Sequence, residues 1–242
     1  MAVMSKKEWL RRRRRKKKIR KYAILGGFAV VLILFLLLII KIFTWIFSGS
    51  DDGLIKKVGD IKVTQKLLTV DDNTRPGTAL PSVKSIVIHY DGIPGTSAID
   101  RRNYYESKKG SKSDKDTPES MHFVVGPEGE IIQCIPVTEA AYASKGSNAD
   151  SLSVEFCSTG ADGSVSKEEY VSLVTLVGYL CKEYDLDADD IKRHFDISGK
   201  QCPLFFVTNQ DAWKQFLSDV EKAKAGKDFS TDNPIIKKQA GQ

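Results

Sequence analysis

Met121-His122-Phe123-Val124-Val125-Gly126-Pro127-Glu128-Gly129-Glu130-Ile131-Ile132-Gln133-Cys134-Ile135 is the stretch on which the fold turns. Two short apolar runs rich in Val and Ile flank Gly126-Pro127-Glu128-Gly129, a tetrapeptide of turn formers, so the segment reads as two strands joined in a hairpin. Upstream, Ser85-Ile86-Val87-Ile88-His89-Tyr90 reads as a buried strand. Downstream, Ser151 to Cys157 alternates with period two, placing Leu152, Val154 and Phe156 on one face and Ser153, Glu155 and Cys157 on the other.

Helical signals surround these strands. Ser166-Lys167-Glu168-Glu169 fits a capping box, and Tyr170, Leu173, Val174, Val177, Leu180, Cys181 and Tyr184 follow at helical spacing. A shorter helix is predicted over Ala98 to Ser107, and another from about Gln210 to Lys222 with Trp213, Phe216, Leu217 and Val220 inward. Strands mixed with helices and one tight hairpin predict an α/β (α+β) layer fold with a central mixed sheet flanked by helices.

At the N-terminus, Ala23 to Ile40 runs 18 residues without a charge, and Ile42 to Phe47 extends the run past Lys41. About 20 apolar residues span a ~30 Å hydrocarbon core, so 22–47 is predicted to be a transmembrane helix, with Trp45 at the interface and Lys41 snorkelling. A cleaved signal peptide has a shorter apolar region, about 7 to 15 residues, ending in small residues. Here the run is longer and ends in Trp45-Ile46-Phe47. The block Arg11 to Lys18 lies just before it, which predicts a cytoplasmic tail over 1–21 and everything beyond the helix outside the cell. A polar linker is predicted over 48–62, a folded domain over 63–222 and a fraying tail over 223–242.

Charge narrows the partners. Met1–Lys21 holds twelve of the 37 Lys and Arg and one of the 31 acids, and Lys41 is a thirteenth base, so Ile42 onward has 24 bases against 30 acids. The folded part is therefore net acidic, which argues against nucleic acid as a partner. Four Cys with no C-x-x-C pair exclude a cystine scaffold and a zinc ribbon.

Arg193-His194-Phe195-Asp196-Ile197-Ser198-Gly199-Lys200-Gln201-Cys202-Pro203 sets an imidazole, a carboxylate, an ammonium and a thiol close together in an aperiodic loop. Such a loop can fold His194 and Cys202 onto one ion, with His89 from a strand end as third ligand and zinc as the suited metal. Three protein ligands are the pattern of catalytic zinc sites. Spacing alone leaves the bland reading open as well, in which the histidines are hydrogen-bonded core residues and the thiol a small apolar filler. Cys134, Cys157 and Cys181 read as buried fillers, with a Cys134 to Cys157 disulfide left open. A zinc site closed by a fourth thiolate such as Cys157 also stays open.

The motifs Ile86-Val87-Ile88-His89-Tyr90, Met121 to Ile131, Leu152-Ser153-Val154-Glu155 and His194 to Pro203 occur in the order seen in type 2 N-acetylmuramoyl-L-alanine amidases. The chain resembles this family from about Thr64 to Val220, and the last motif is the most specific. The resemblance implies zinc bound by His89, His194 and Cys202, Glu155 as general base, and Lys200 beside the reacting carbonyl. It also implies peptidoglycan as substrate, cut between N-acetylmuramic acid and L-alanine; the apolar run and its basic flank add the expectation that this happens on the outer side of a cell membrane. His122 is expected to bind substrate or to orient a ligand. Some family members carry a Tyr immediately before that His; this chain has Met121, which shifts the chemistry to Glu155. The rival expectation is a tethered module that binds peptidoglycan without cutting it.

Overall fold

In the computed structural model, residues 52–113 and 117–236 are described, together with 15, 16, 22, 26, 27 and 32–39. The chain divides into two units, 1–51 and 52–242, each taken by itself. Within the first, residues 32–39 are helical and exposed. Most of the transmembrane segment expected over 22–47 lies outside the described residues, as does nearly all of the basic tail. No helix among the described residues is long and apolar enough to cross a membrane.

The second unit is built on a seven-stranded sheet of β1 (Lys57–Val58), β2 (Ile61–Gln65), β3 (Ser85–Tyr90), β4 (Phe123–Val125), β5 (Ile131–Gln133), β6 (Ser151–Phe156) and β7 (Ile191–Arg193). Their spatial order is β1-β2-β5-β4-β6-β3-β7. The hairpin read from the sequence is the antiparallel pair β4 and β5, with Val124 opposite Ile132. β4, β6, β3 and β7 run parallel to one another. Helices α1 (Ala98–Ser107), α2 (Lys167–Glu183), α3 (His194–Ser198), α4 (Leu204–Thr208) and α5 (Gln210–Lys224) complete the unit.

Period-two alternation divides the interior. Ile86, Ile88, Phe123, Leu152, Val154 and Phe156 pack with α2 and α5 in the larger core, through Tyr170, Leu173, Val177, Phe216 and Val220. Val124, Ile132, Cys134 and Cys157 face the other way, against Ala98 and Tyr105 of α1. Gly178 permits the α2–α5 contact, since a Cβ there would lie 2.8 Å from the Ala223 Cβ. Ser166 caps α2, its Oγ accepting from the Glu169 amide at 3.0 Å.

Two boundaries move. The linker expected to reach Lys62 already belongs to the sheet as β1 and part of β2, with Ile55 and Val58 buried. The Gln133 amide draws this entry segment in, donating to the Gly53 carbonyl at 2.6 Å while its Oε1 accepts from Ile55 at 2.8 Å. The tail expected to fray is docked up to Ile236: Ile235 is fully buried, and Asn233 donates to the Tyr170 hydroxyl at 2.8 Å. The Cys134 to Cys157 bond is absent, both thiols being free and buried. They follow β5 and β6, which β4 separates. Two strand spacings of about 4.8 Å exceed the reach of a disulfide.

Glu169, in the first turn of α2, is fully buried, and among the described residues neither carboxylate oxygen has a partner in good hydrogen-bond geometry. Burial pushes its pKa up to about 9, against the pull of the Ser166 and Cys157 backbone. Because the folded value lies above the usual 4.5, the protonated form stabilises the fold at low pH, and this contribution is lost as pH rises through about 9. Between pH 7 and 10 the wild type should lose on the order of 2–3 kcal/mol more stability than Glu169→Gln, at about 1.4 kcal/mol per pH unit below the folded value. Denaturant melts at the two pH values check this, and equal losses contradict it.

Candidate metal and catalytic site

The ends of β3 and β6 and the loop after β7 meet on the α1 side of the sheet. His89 and Glu155 are register partners on the parallel pair β3 and β6, so two chemically active side chains stand side by side at the strand ends. His194 begins α3, directly after β7. The loop that follows closes on itself: the Phe195 amide donates to the Cys202 carbonyl at 2.9 Å, and Gly199, with φ of 76°, ends α3 in the left-handed conformation. Arg193 fixes the base of the loop, gripping the Asp196 carboxylate at 2.7 Å and the Phe206 carbonyl at 3.0 Å.

This folding gathers His89, His194 and Cys202, whose ligand atoms all lie within 4.8 Å of one another. Cys202 Sγ is 4.0 Å from His89 Nδ1, and the two imidazole centroids are 4.6 Å apart. The other ring nitrogen of His89, Nε2, is held by Ser144 Oγ at 3.2 Å. His194 Nδ1 is buried without a hydrogen-bond partner among the described residues. Cys157 is not part of the group, so the arrangement closed by a fourth thiolate is not formed among the described residues.

Burial and the charges of His194, Lys200 and Arg101 hold His89 well below the usual imidazole range. Burial and Lys200 lower His194 as well. Both rings are therefore neutral at neutral pH, with lone pairs available. Burial pushes the Cys202 thiol up to about 11, so metal capture there is coupled to release of a proton. Zinc accepts this mix of nitrogen and sulfur donors. Two neutral imidazoles, one of them with an unsatisfied buried nitrogen, and one sulfur fit such an ion.

The three residues open into a cleft of about 360 Å³ that Glu155 and Lys200 also line. Lys200 stands exposed at the mouth. Glu155 is 1% exposed and is held by Arg101, Nε to Oε1 at 2.6 Å, and by the Tyr105 hydroxyl at 2.6 Å. Burial raises its pKa, opposed by Arg101 and Tyr105. Glu119 enters the same cleft, bonded to Arg101 at 3.1 Å and Tyr104 at 3.2 Å. A larger groove of about 870 Å³ elsewhere, lined by Asp162, Phe205 and Pro234 among others, carries no imidazole or thiol.

His122 is the site residue that moves. It does not line the cleft; its Nδ1 meets Ser153 Oγ at 2.9 Å and its Nε2 the Glu139 carbonyl at 2.8 Å, which leaves neither nitrogen for substrate or ligand. Ser153 precedes Glu155 by two residues, about 6.6 Å along a strand, so His122 sits below the cleft floor. Arg101, Tyr105, Glu119 and Ser144 were given no individual role from the sequence. The signal for the first two was present: they are four apart on a helix recognised as such, hence on one face.

The profile of the N-acetylmuramoyl-L-alanine amidase family matches residues 79–204. The chain is similar to the N-acetylmuramoyl-L-alanine amidase CwlL of Bacillus licheniformis, 32% identical over 181 residues that cover 70% of this chain and 49% of that one. It is similar to the amidase BlyA of Bacillus subtilis at 32% over 192 residues, 71% of this chain and 50% of the other. It thus spans about half the length of these curated relatives. Among solved structures, a mutant endolysin from Bacillus subtilis aligns with a TM-score of 0.54 and 27% identity, over 65% of this chain and 99% of that one. The catalytic domain of XlyA aligns with a TM-score of 0.54 and 26% identity, with the same coverage. With the profile match spanning just over half of its length, and the motifs of the cleft falling inside that match, the chain belongs to the N-acetylmuramoyl-L-alanine amidase family.

Proposed function

We propose that this protein is a zinc-dependent hydrolase of peptidoglycan that cuts the amide between the lactyl group of N-acetylmuramic acid and L-alanine of the stem peptide. The observation that carries the reading is the meeting of His89, His194 and Cys202 in a cleft that also holds Glu155 and Lys200. His89, His194 and Cys202 would hold the ion, with Ser144 fixing the His89 ring. When bound there, zinc supplies Lewis-acid chemistry, lowering the pKa of water toward about 7 and polarising a carbonyl.

The chain's own residues supply the rest. Glu155 takes the proton of the attacking water and returns it to the departing L-alanine nitrogen as the C–N bond breaks. Its raised pKa keeps it basic enough for the first task and acidic enough for the second. Lys200 at the mouth stabilises the negative charge that develops on the carbonyl oxygen. The apolar run of 22–47 and its basic flank support a further element of the proposal: a single-pass anchor with the hydrolase on the outer face of the membrane.

Digestion of purified peptidoglycan followed by labelling of new amino termini tests the reaction. The expected product is free L-alanine amino termini on released stem peptides with the glycan strands uncut. Peptidoglycan that is retained by the protein but never cut would instead identify a binding module. Within the same reading, Ser144→Ala should weaken zinc affinity roughly 10- to 100-fold, the usual effect of removing a ligand's orienting partner. Chelator competition measures it, and unchanged affinity would remove Ser144 from the account.

A further inference from the structure

We infer that Arg101 and Tyr105 of α1 are positioning residues that clamp Glu155 by one oxygen and leave the other, Oε2, to move the proton. The inference rests on the reading of Glu155 as the base.

The hydrogen bonds on the carboxylate are unequal. Oε1 accepts from Arg101 Nε at 2.6 Å and from the Tyr105 hydroxyl at 2.6 Å. Among the described residues, Oε2 receives only Arg101 Nη2, at 3.3 Å. An ionised carboxylate oxygen has about two acceptor sites, so Oε1 is filled while Oε2 keeps one in hand. The two donors come from the same helix face at i and i+4, which ties the carboxylate to a rigid element.

Arg101 is itself immobilised. Its guanidinium carbon lies 4.4 Å from the Tyr104 ring centroid and 4.6 Å from that of Tyr105, and Nη2 is bonded to Glu119 at 3.1 Å. The Arg101 side chain is 8% exposed and that of Glu155 is 2% exposed. A carboxylate so deeply buried is costly without a paired cation, and with one it has a single orientation. The clamp thus supplies a charged base in a fixed pose. Arg101 and Tyr105 need touch neither substrate nor metal to do this.

Steady-state kinetics of the zinc-loaded full chain on muropeptides tests the inference, with melting temperature and zinc content as controls. Arg101→Ala should lower kcat roughly 10- to 100-fold, as losses of orienting partners do, with KM within about threefold. Arg101→Lys should recover part of that loss, and Tyr105→Phe should lower kcat severalfold. In a Glu155→Gln background, Arg101→Ala should cost nothing further, because a residue acting through Glu155 has nothing left to position. Should Arg101→Ala fail to fold, Arg101→Lys and Tyr105→Phe carry the test. Unchanged kcat in these variants, a loss confined to KM, or an equal loss in the Glu155→Gln background overturns the clamp. An inactive wild type, or full activity in Glu155→Gln, overturns the base reading itself and the clamp with it.

Discussion

Glu155→Gln is expected to lower kcat by roughly 10²- to 10⁴-fold, the range associated with a positioned general base, while zinc content and fold are retained. The substitution keeps the size and shape of the side chain and removes its charge and its ability to take a proton. Arg101 loses its charged partner, but Glu119 remains bonded to the same guanidinium at 3.1 Å, so the buried cation is not stranded. Retained zinc in the variant separates a lost base from a collapsed site. Turnover near the wild-type value would show that Glu155 is a structural carboxylate paired with Arg101.

Cys202→Ala is expected to have the other large effect: zinc affinity should fall by more than the ~100-fold typical of an orienting partner, and activity should fall with it. The sulfur is the anionic member of the donor set, and it is 2% exposed, so no solvent thiol takes its place. Circular dichroism should be unchanged, since the loop closure by Phe195 and Cys202 uses the backbone and survives the substitution. Chelator competition and turnover measured on one preparation check both parts. A variant that keeps zinc and activity removes Cys202 from the metal set.

Much of the fold was legible because its elements are local. The β4–β5 hairpin is announced by its own turn, and α2 by its cap and its apolar spacing. The donor set was legible for another reason. Spacing alone left His89, His194 and Cys202 open between ligands and core residues, and the resemblance implied that they form one group, which is how the structure gathers them. β1 and β2 were not legible, since Lys56, Lys57, Asp60 and Lys62 give that edge the composition of a linker. Pairing of β2 with β5, and the Gln133 side chain 80 residues from Gly53, make that segment part of the sheet.

The docked tail was hidden in the same way. Asn233 and Ile235 are inserted singly, and a pair of isolated residues carries no period. Arg101 and Tyr105 were given no role because α1 buries a cation and a tyrosine where an apolar stripe is usual. Such a helix shows its purpose only when the carboxylate opposite is known. His122 was misplaced because nearness in sequence to a recognised motif says nothing about which of two neighbouring positions on one sheet face a loop will cover.

Zinc K-edge absorption on the purified full chain tests the central claim most directly. Two imidazole nitrogens at about 2.0–2.1 Å and one sulfur at about 2.3 Å are the expected protein scatterers. A first shell without sulfur, or with a second sulfur, would contradict the assignment of His89, His194 and Cys202 as the metal site.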